Sequence, residues 1–473
     1  MAVSPLAPQW LQFPENINAL REIEWASGVS READGELSVQ GLRVSALAEE
    51  FGTPLFVLDE NDFRARARGF KTAFDEAFKD LCGGVDVYYA GKAFVCTEVA
   101  RWVTDEGLRL DTCSGGELAV AKAANVPAEN LSLHGNNKSK AEIIRGLEMG
   151  VGRIVIDSLD ELERVISLAD SLSLTAEVML RITPGVHAST HEAIATAHED
   201  QKFGLSILPD ATGTSPALRA VARAIEAKNV NLLGLHAHIG SQIFEADGFA
   251  MVARTMLGLL AKVRELHGVE LPELDLGGGY GIAYTSEDHP STPAKLAGQM
   301  AEVVSATCAQ LDMACPRISI EPGRAIVGPT TFTLYETGVL KDVQVEDEAG
   351  TLHPRRYIAV DGGMSDNPRP VLYDAQYTAV LASRMTQSDA IISRVVGKHC
   401  ESGDIVVKDV YLPDDVAAGD LLAIPATGAY CWALSSNYNY LTRPAVVAVR
   451  DGQARLIVRR ETEDDLLARD MGV

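Results

Sequence analysis

The chain has 473 residues, 47% hydrophobic and 23% charged, enough apolar material for a large core spread over about two or three domains. Its 42 basic and 66 acidic side chains leave a net charge of −24, which argues against nucleic acid or an anionic membrane as a partner, since both need a basic footprint. Seven scattered cysteines without a CxxC pair indicate neither a disulfide framework nor a cysteine zinc site. Met1–Asn18 carries no basic segment followed by an apolar run, and no stretch approaches the ~20 apolar residues of a membrane span, so the cytoplasm is the expected compartment.

Residues 1–35 are rich in Pro, Trp and acidic residues and read as an irregular lead-in. Leu37–Val44 suits a short strand, Val44–Phe51 a short helix stopped at Gly52, and Pro54–Asp59 a strand followed by a polar helix to about Lys79. A rhythm begins at Val85. Short β-rich runs recur at Val85–Tyr89, Leu108–Asp111, Leu131–His134, Arg153–Asp157, Glu177–Thr183, Leu232–His238, Leu274–Leu276 and Ile318–Ile320. Helical periodicity fills the gaps, at Glu117–Ala124, Glu142–Gly150, Glu161–Leu172, Pro216–Lys228 and Phe249–Leu266. Ser114 before Glu117, Ser139 before Glu142 and Ser158 before Glu161 place a capping-box pattern at three successive strand–helix junctions.

Alternating strands and helices imply parallel pairing with right-handed crossovers. Eight units over about 240 residues match a (β/α)8 barrel, and no Gly-x-Gly-x-x-Gly after the first strand supports an open dinucleotide-binding sheet instead. After about Pro329 the texture becomes mainly β, with runs at Thr331–Val339, Arg356–Val360, Ala390–Val396, Ile405–Tyr411, Asp420–Ile424 and Ala445–Val449. The expected fold is therefore α/β, a (β/α)8 barrel over 58–329 and a mainly β C-terminal domain, sandwich or barrel, over 330–473. Residues 1–57 form an N-terminal segment.

Barrel enzymes place their chemistry at the C-terminal ends of the strands. Read in order, those ends carry Lys92; Asp111 with Ser114–Glu117; His134–Ser139; Asp157; Arg181; His236–Gln242; Gly277–Gly279; and Glu321–Arg324. A lysine at a strand end is either simply solvated or a nucleophile toward an aldehyde. Gly277–Gly279 is either a plain turn or, with Ser241 and Arg324, a phosphate cradle. His236 and His238 share a strand face, as a metal pair would, or offer a flat imidazole to an aromatic cofactor. Glu321 is either a partner for Arg324 or a carboxylate facing a basic ring nitrogen. Lysine, phosphate cradle, stacking imidazole and carboxylate together describe pyridoxal phosphate.

Tyr89–Ala93, His134–Ser139, His238–Gln242, Glu321–Arg324, Gly397–Asp404 and Ala429-Tyr430 occur in one order along about residues 40–465. In these motifs the chain resembles the fold-type III pyridoxal-phosphate decarboxylases, and within them the branch acting on diaminopimelate. The resemblance implies an alanine racemase-like barrel, with the N-terminal segment partly joining the β domain, and a homodimer with shared active sites. It implies that Lys92 bonds the cofactor and His238 stacks on its ring. Glu321 pairs with the ring nitrogen, and Ser241, Gly278, Gly279, Gly323 and Arg324 hold the phosphate. Arg324, Arg369 and Tyr373 would grip the substrate's distal carboxylate, Glu401 its distal ammonium, and Tyr430 both cofactor and substrate; Cys400 would donate a proton. The implied reaction converts meso-2,6-diaminopimelate to L-lysine and CO2, the last step of lysine biosynthesis. Independently, the forked guanidinium groups of Arg324 and Arg369 suit a distal carboxylate, whereas a lone distal ammonium calls for carboxylates. Decarboxylases of ornithine, arginine or carboxynorspermidine on the same scaffold are the alternative. Ala188–His191 departs from the family pattern, so no role is assigned to His191.

Overall fold

The computed structural model describes residues 3–185 and 201–473. The chain divides into two compact units, one formed by Arg66–Gly281 with Pro290–Ala325, the other by Met1–Ala65, Ile282–His289 and Ile326–Val473.

The first unit is a barrel. Its strands are β1 (Val85–Ala90), β2 (Arg109–Thr112), β3 (Leu131–Leu133), β4 (Arg153–Ile156), β5 (Ala176–Thr183), β6 (Val230–His236), β7 (Glu273–Asp275) and β8 (Arg317–Ile320). All neighbours pair in parallel, β8 with β1 and β4 with β5, so the described strands close on themselves as the alternation predicts. Parallel closure hides both strand faces, which is why β1, β3, β4 and β6 read as nearly continuous apolar runs.

The predicted caps form, with one refinement. Ser114, Ser139 and Ser158 each accept the backbone N–H three residues on, at 3.2 Å. Only Ser139–Glu142 completes the reciprocal box. Glu117 and Glu161 reach one residue further back, to the N–H groups of Cys113 (2.6 Å) and Asp157 (2.8 Å). There they tie a strand end to its helix rather than the cap to itself.

The barrel floor is not wholly apolar. Arg153 on β4 is buried, with its guanidinium 3.9 Å over the Tyr88 ring, bonded to Ser319 Oγ at 3.1 Å and paired with buried Asp275 of β7. Asp275 also accepts from Ser319 Oγ (2.9 Å) and the Gly277 N–H (2.7 Å). A buried charge persists only when paired and hydrogen-bonded. This one fastens β4, β7 and β8 together just below the site.

The second unit is mainly β. Leu55–Asp59 pairs antiparallel with Thr331–Leu334 and parallel with Ala445–Val449, placing a strand from before the barrel in the middle of the C-terminal sheet. Its core gathers Trp25, Leu37, Val39, Val44, Leu47, Leu55 and Val57 with Phe332, Leu334, Leu421, Val447 and Val449. The lead-in is more ordered than its composition predicts. Val29–Arg31 pairs with Leu37–Val39, and Arg31 bonds the carbonyls of Asn18, Gly35 and Leu381. The strand Gln453–Val458, paired with Ala445–Arg450, was not anticipated: none of its residues is buried, and its apolar run is confined to Leu456–Val458.

Candidate active site

β1 ends at Ala90, and a tight turn over Gly91–Ala93 turns Lys92 out at the barrel mouth while Gly91 and Ala93 stay buried. Lys92 lines a cavity of about 300 Å³ with Asp111 and Cys113 after β2, His134 after β3, Arg181 of β5, Phe203, His236 and His238, and Glu321 after β8. Lys92, His238 and Glu321, predicted separately from three strand ends, thus share one chamber.

Its floor is a chain of buried polar groups. His134 Nε2 lies 2.8 Å from Ser132 Oγ and 3.2 Å from Asp111 Oδ1. His134 and His236 pack edge to face with centroids 5.2 Å apart. Glu321 Oε1 stands 3.1 Å from His236 Nε2 and 3.4 Å from His134 Nε2, yet neither His236 nitrogen nor Glu321 Oε1 completes a hydrogen bond of good geometry. Burial pushes both His134 and His236 down to about 3, so near neutrality both rings are uncharged. Burial, reinforced by the nearby Asp111 carboxyl, raises Glu321, and burial with the Asp275 charge raises Asp111 well above the carboxylate range. The pocket therefore holds carboxyl groups short of a positive partner.

His238 lies two residues beyond the last residue of β6, and its surroundings differ from those of His236. Its Nδ1 accepts the Gly278 N–H at 3.2 Å, which leaves Nε2 as the protonated nitrogen. Burial and the Lys92 ammonium hold it well below the usual histidine range. His236 instead joins His134 and Glu321, whose ligand atoms lie within 4.8 Å of one another. The two histidines considered as a metal pair are thus divided between different partners.

The glycines after β7 leave room for nothing larger. A Cβ at Gly278 would fall 2.4 Å from the Glu321 carbonyl oxygen, and one at Gly279, whose φ is +114°, 2.5 Å from that of Gly240. Beside them Arg324 Nη2 donates to Ser241 Oγ at 2.9 Å, and Gly323 follows Glu321 at the end of β8. Backbone N–H groups, a hydroxyl and a guanidinium side by side form an anion cradle.

The remaining predicted residues lie in the second unit. Arg369 is buried, its guanidinium 4.6 Å over the Tyr284 ring and bonded to the Tyr377 hydroxyl, which contacts Cys431 Sγ at 3.5 Å. Tyr373, Cys400 and Glu401 are exposed. The Cys400 N–H donates to Asn439 Oδ1 at 3.0 Å. Tyr430 has φ +63°, a left-handed conformation that costs a non-glycine residue about 1–3 kcal/mol.

Residues 61–328 match the family described as pyridoxal-dependent decarboxylase, pyridoxal binding domain, and residues 330–428 its C-terminal sheet domain. The chain belongs to the pyridoxal-dependent decarboxylases. It is 50% identical over 465 residues to the diaminopimelate decarboxylase of Mycobacterium leprae, covering 98% of this chain and 95% of that one. It is 48% identical to that of Corynebacterium efficiens, covering 97% and 96%. Among solved structures, diaminopimelate decarboxylase from M. jannaschii in complex with L-lysine superimposes with a TM-score of 0.86 at 31% identity, covering 94% of this chain and 98% of that one.

The cofactor of this decarboxylase is pyridoxal phosphate, and the chamber fits it on two counts. Glu321 Oε1 is a buried acceptor lacking a donor, and the Gly278–Gly279 turn is a cradle that any side chain would fill. Asp111 and Arg181 were visible in the sequence only as strand-end residues, His134 also as the start of a motif and His236 also as one of a histidine pair. Phe203, under the Arg181 guanidinium at 4.2 Å, gave no sequence signal, because it belongs to none of the eight strand ends. Ala188–His191 lies outside the described residues.

Proposed function

We propose that this decarboxylase converts meso-2,6-diaminopimelate to L-lysine and CO2. The observation that carries the reading is 50% identity over nearly the whole of both chains to a diaminopimelate decarboxylase. When bound, pyridoxal phosphate supplies the electron sink that accepts the electrons released as the carboxylate leaves.

The chain's own residues supply the rest. Lys92 is the residue that would bond the cofactor's aldehyde carbon. His238, neutral and fixed through Gly278, would lie against the cofactor ring, while Glu321 would offer its unpartnered oxygen to the ring N–H and keep that proton in place. Ser241, Gly278, Gly279, Gly323 and Arg324 hold the phosphate. Arg369, with Arg324 and Tyr373, grips the substrate's distal carboxylate; the rings of Tyr284 and Tyr377 exclude water from its guanidinium and fix the fork. Glu401 meets the distal ammonium, Tyr430 touches cofactor and substrate, and Cys400 returns a proton to the reacting carbon.

Two chains form a dimer with shared sites, Cys400 and Glu401 of one serving the chamber of the other. The exposed side chains of Leu372, Tyr373 and Tyr440, together with a shallow depression lined by Val371, Glu401 and Tyr438, support this. Exposed apolar side chains gathered beside functional groups favour an interface. The enzyme works in the cytoplasm, a reading supported by its seven cysteines, none of which is in a disulfide. Among the described residues no helix is long and apolar enough to cross a membrane.

The test is CO2 release from diaminopimelate, lysine, ornithine and arginine by the purified enzyme. Turnover confined to diaminopimelate supports the assignment, and preference for a substrate lacking the distal carboxylate overturns it. Arg369→Ala should cripple diaminopimelate turnover. Mixing Lys92→Ala with Cys400→Ala chains should restore activity absent from either alone. Failure of that mixture, despite demonstrated subunit exchange, would refute site sharing.

A further inference from the structure

The barrel carries a second cluster of reactive groups at the end opposite Lys92. Cys82 closes the helix Glu60–Cys82 just before β1, Cys315 stands just before β8, and Cys308 lies near the end of the helix Pro293–Gln310 that leads into β8. β8 pairs with β1 in parallel, Ile318 opposite Val85, so the residue three positions ahead of each comes to the same edge of the barrel. Arg317 Nη1 donates to the Cys82 carbonyl at 3.2 Å, tying the two strand entries together. The Met313 N–H donates to the Cys308 carbonyl at 3.1 Å, folding the helix end back toward Cys315. The Cys82 and Cys315 thiols donate to the Gly84 and Pro316 carbonyls, at 3.2 and 3.4 Å, and Cys315 is a neighbour of both Cys82 and Cys308. Cys308 is buried, whereas Cys82 and Cys315 are half-exposed, and none of the three is in a disulfide.

We infer that Cys82, Cys315 and Cys308 form a peroxide-reactive thiol site at the base of the barrel, in which Cys315 closes a reversible disulfide with one of its two neighbours. The neighbouring Cys315 thiol draws the Cys82 thiol below its usual range, and the Ile318 N–H and Arg317 guanidinium act in the same direction against burial. A half-exposed thiolate beside a cation is the form that a hydroperoxide oxidises.

In the first step the Cys82 sulfur attacks the peroxide. The O–O bond breaks, Cys82 becomes the sulfenic acid, and one water (or alcohol) leaves. Cys315 then loses its proton and attacks the Cys82 sulfur, expelling the hydroxyl as a second water and forming the S–S bond. The peroxide gains two electrons and the thiol pair loses them. Cys308, on the other side of Cys315, can attack the Cys315 sulfur and release the Cys82 thiolate, moving the disulfide inward without further oxidation. Strand entries about 5 Å apart lie within the Cα separation a disulfide spans.

The experiment treats the holoenzyme with equimolar hydrogen peroxide, alkylates the remaining thiols and maps the peptides by mass spectrometry, so the readout is independent of turnover. The expected result is a linked peptide joining Cys315 to Cys82 or Cys308, lost on dithiothreitol treatment. Cys315→Ser should decarboxylate at the wild-type rate, form no such link and accumulate sulfinic acid at Cys82. The inference falls if wild-type Cys82 is recovered alkylated under conditions that oxidise the exposed Cys400, or is overoxidised without any link. A Cys308→Ala variant provides a second check: it should retain the Cys82–Cys315 link, and loss of that link in the folded variant would overturn the order of steps.

Discussion

Replacing Glu321 by glutamine tests the centre of the proposed mechanism, because the change removes a charge while keeping volume and hydrogen-bonding capacity. The carboxylate is almost fully buried and its Oε1 lacks a hydrogen-bond donor. A unit-charge pair at roughly 3 Å in an effective dielectric of about 20 interacts by ~5 kcal/mol. Part of this is offset by the burial that already disfavours ionised Glu321, and an amide retains a dipolar contact. A net loss of about 3–4 kcal/mol remains, the size of one preorganised electrostatic contact, or ~10²–10³-fold in kcat. The assay is CO2 release at saturating diaminopimelate with excess cofactor, after absorbance has verified that the variant is loaded. KM should change only a few-fold, since the role proposed for Glu321 is toward the cofactor rather than the substrate. A loaded variant with kcat within about threefold of wild type would refute the reasoning and leave Glu321 only as a neighbour of His134 and His236.

Cys400→Ala should slow turnover far more than it weakens substrate binding, read as a fall in kcat with a nearly unchanged lysine dissociation constant; equal turnover would remove Cys400 from the proton transfer. Arg153→Met strands buried Asp275 and should cost about 3–5 kcal/mol of barrel stability, measured by denaturant unfolding. Adding Asp275→Asn should recover part of that loss, and additive losses would show that the pair is not coupled. Glu24, buried in the second unit beside Arg21, is pushed up by burial to about 7. Its folded form holds the proton more tightly than the unfolded chain, so the stability it contributes is present at low pH and lost as pH rises from about 4.5 to 7. Glu24→Gln should therefore gain on wild type across that window in parallel thermal melts, by at most ~3 kcal/mol. A pH-independent difference would contradict this.

Much of this protein was legible without coordinates, because parallel strands buried on both faces leave apolar runs and helix starts need capping groups. Val85–Tyr89, the Ser139–Glu142 box and the glycines after Leu276 are local signals, each fixed by a few consecutive residues. Barrel geometry then converts strand order into a rim, so Lys92, His238 and Glu321 could be assigned to one mouth although 229 positions separate the first from the last. What the sequence could not supply depends on distance across the barrel. Only the closed sheet shows that Arg153 pairs with Asp275, that His236 and His238 face different partners, and that Phe203 enters the chamber. It likewise brings Cys82 to Cys315, since side chains far apart in sequence meet through strand register and packing. Leu55–Asp59 makes the same point. Its strand character was evident from its residues, but its place between Thr331–Leu334 and Ala445–Val449 was decided by where the sheet needed a strand to bury its apolar face.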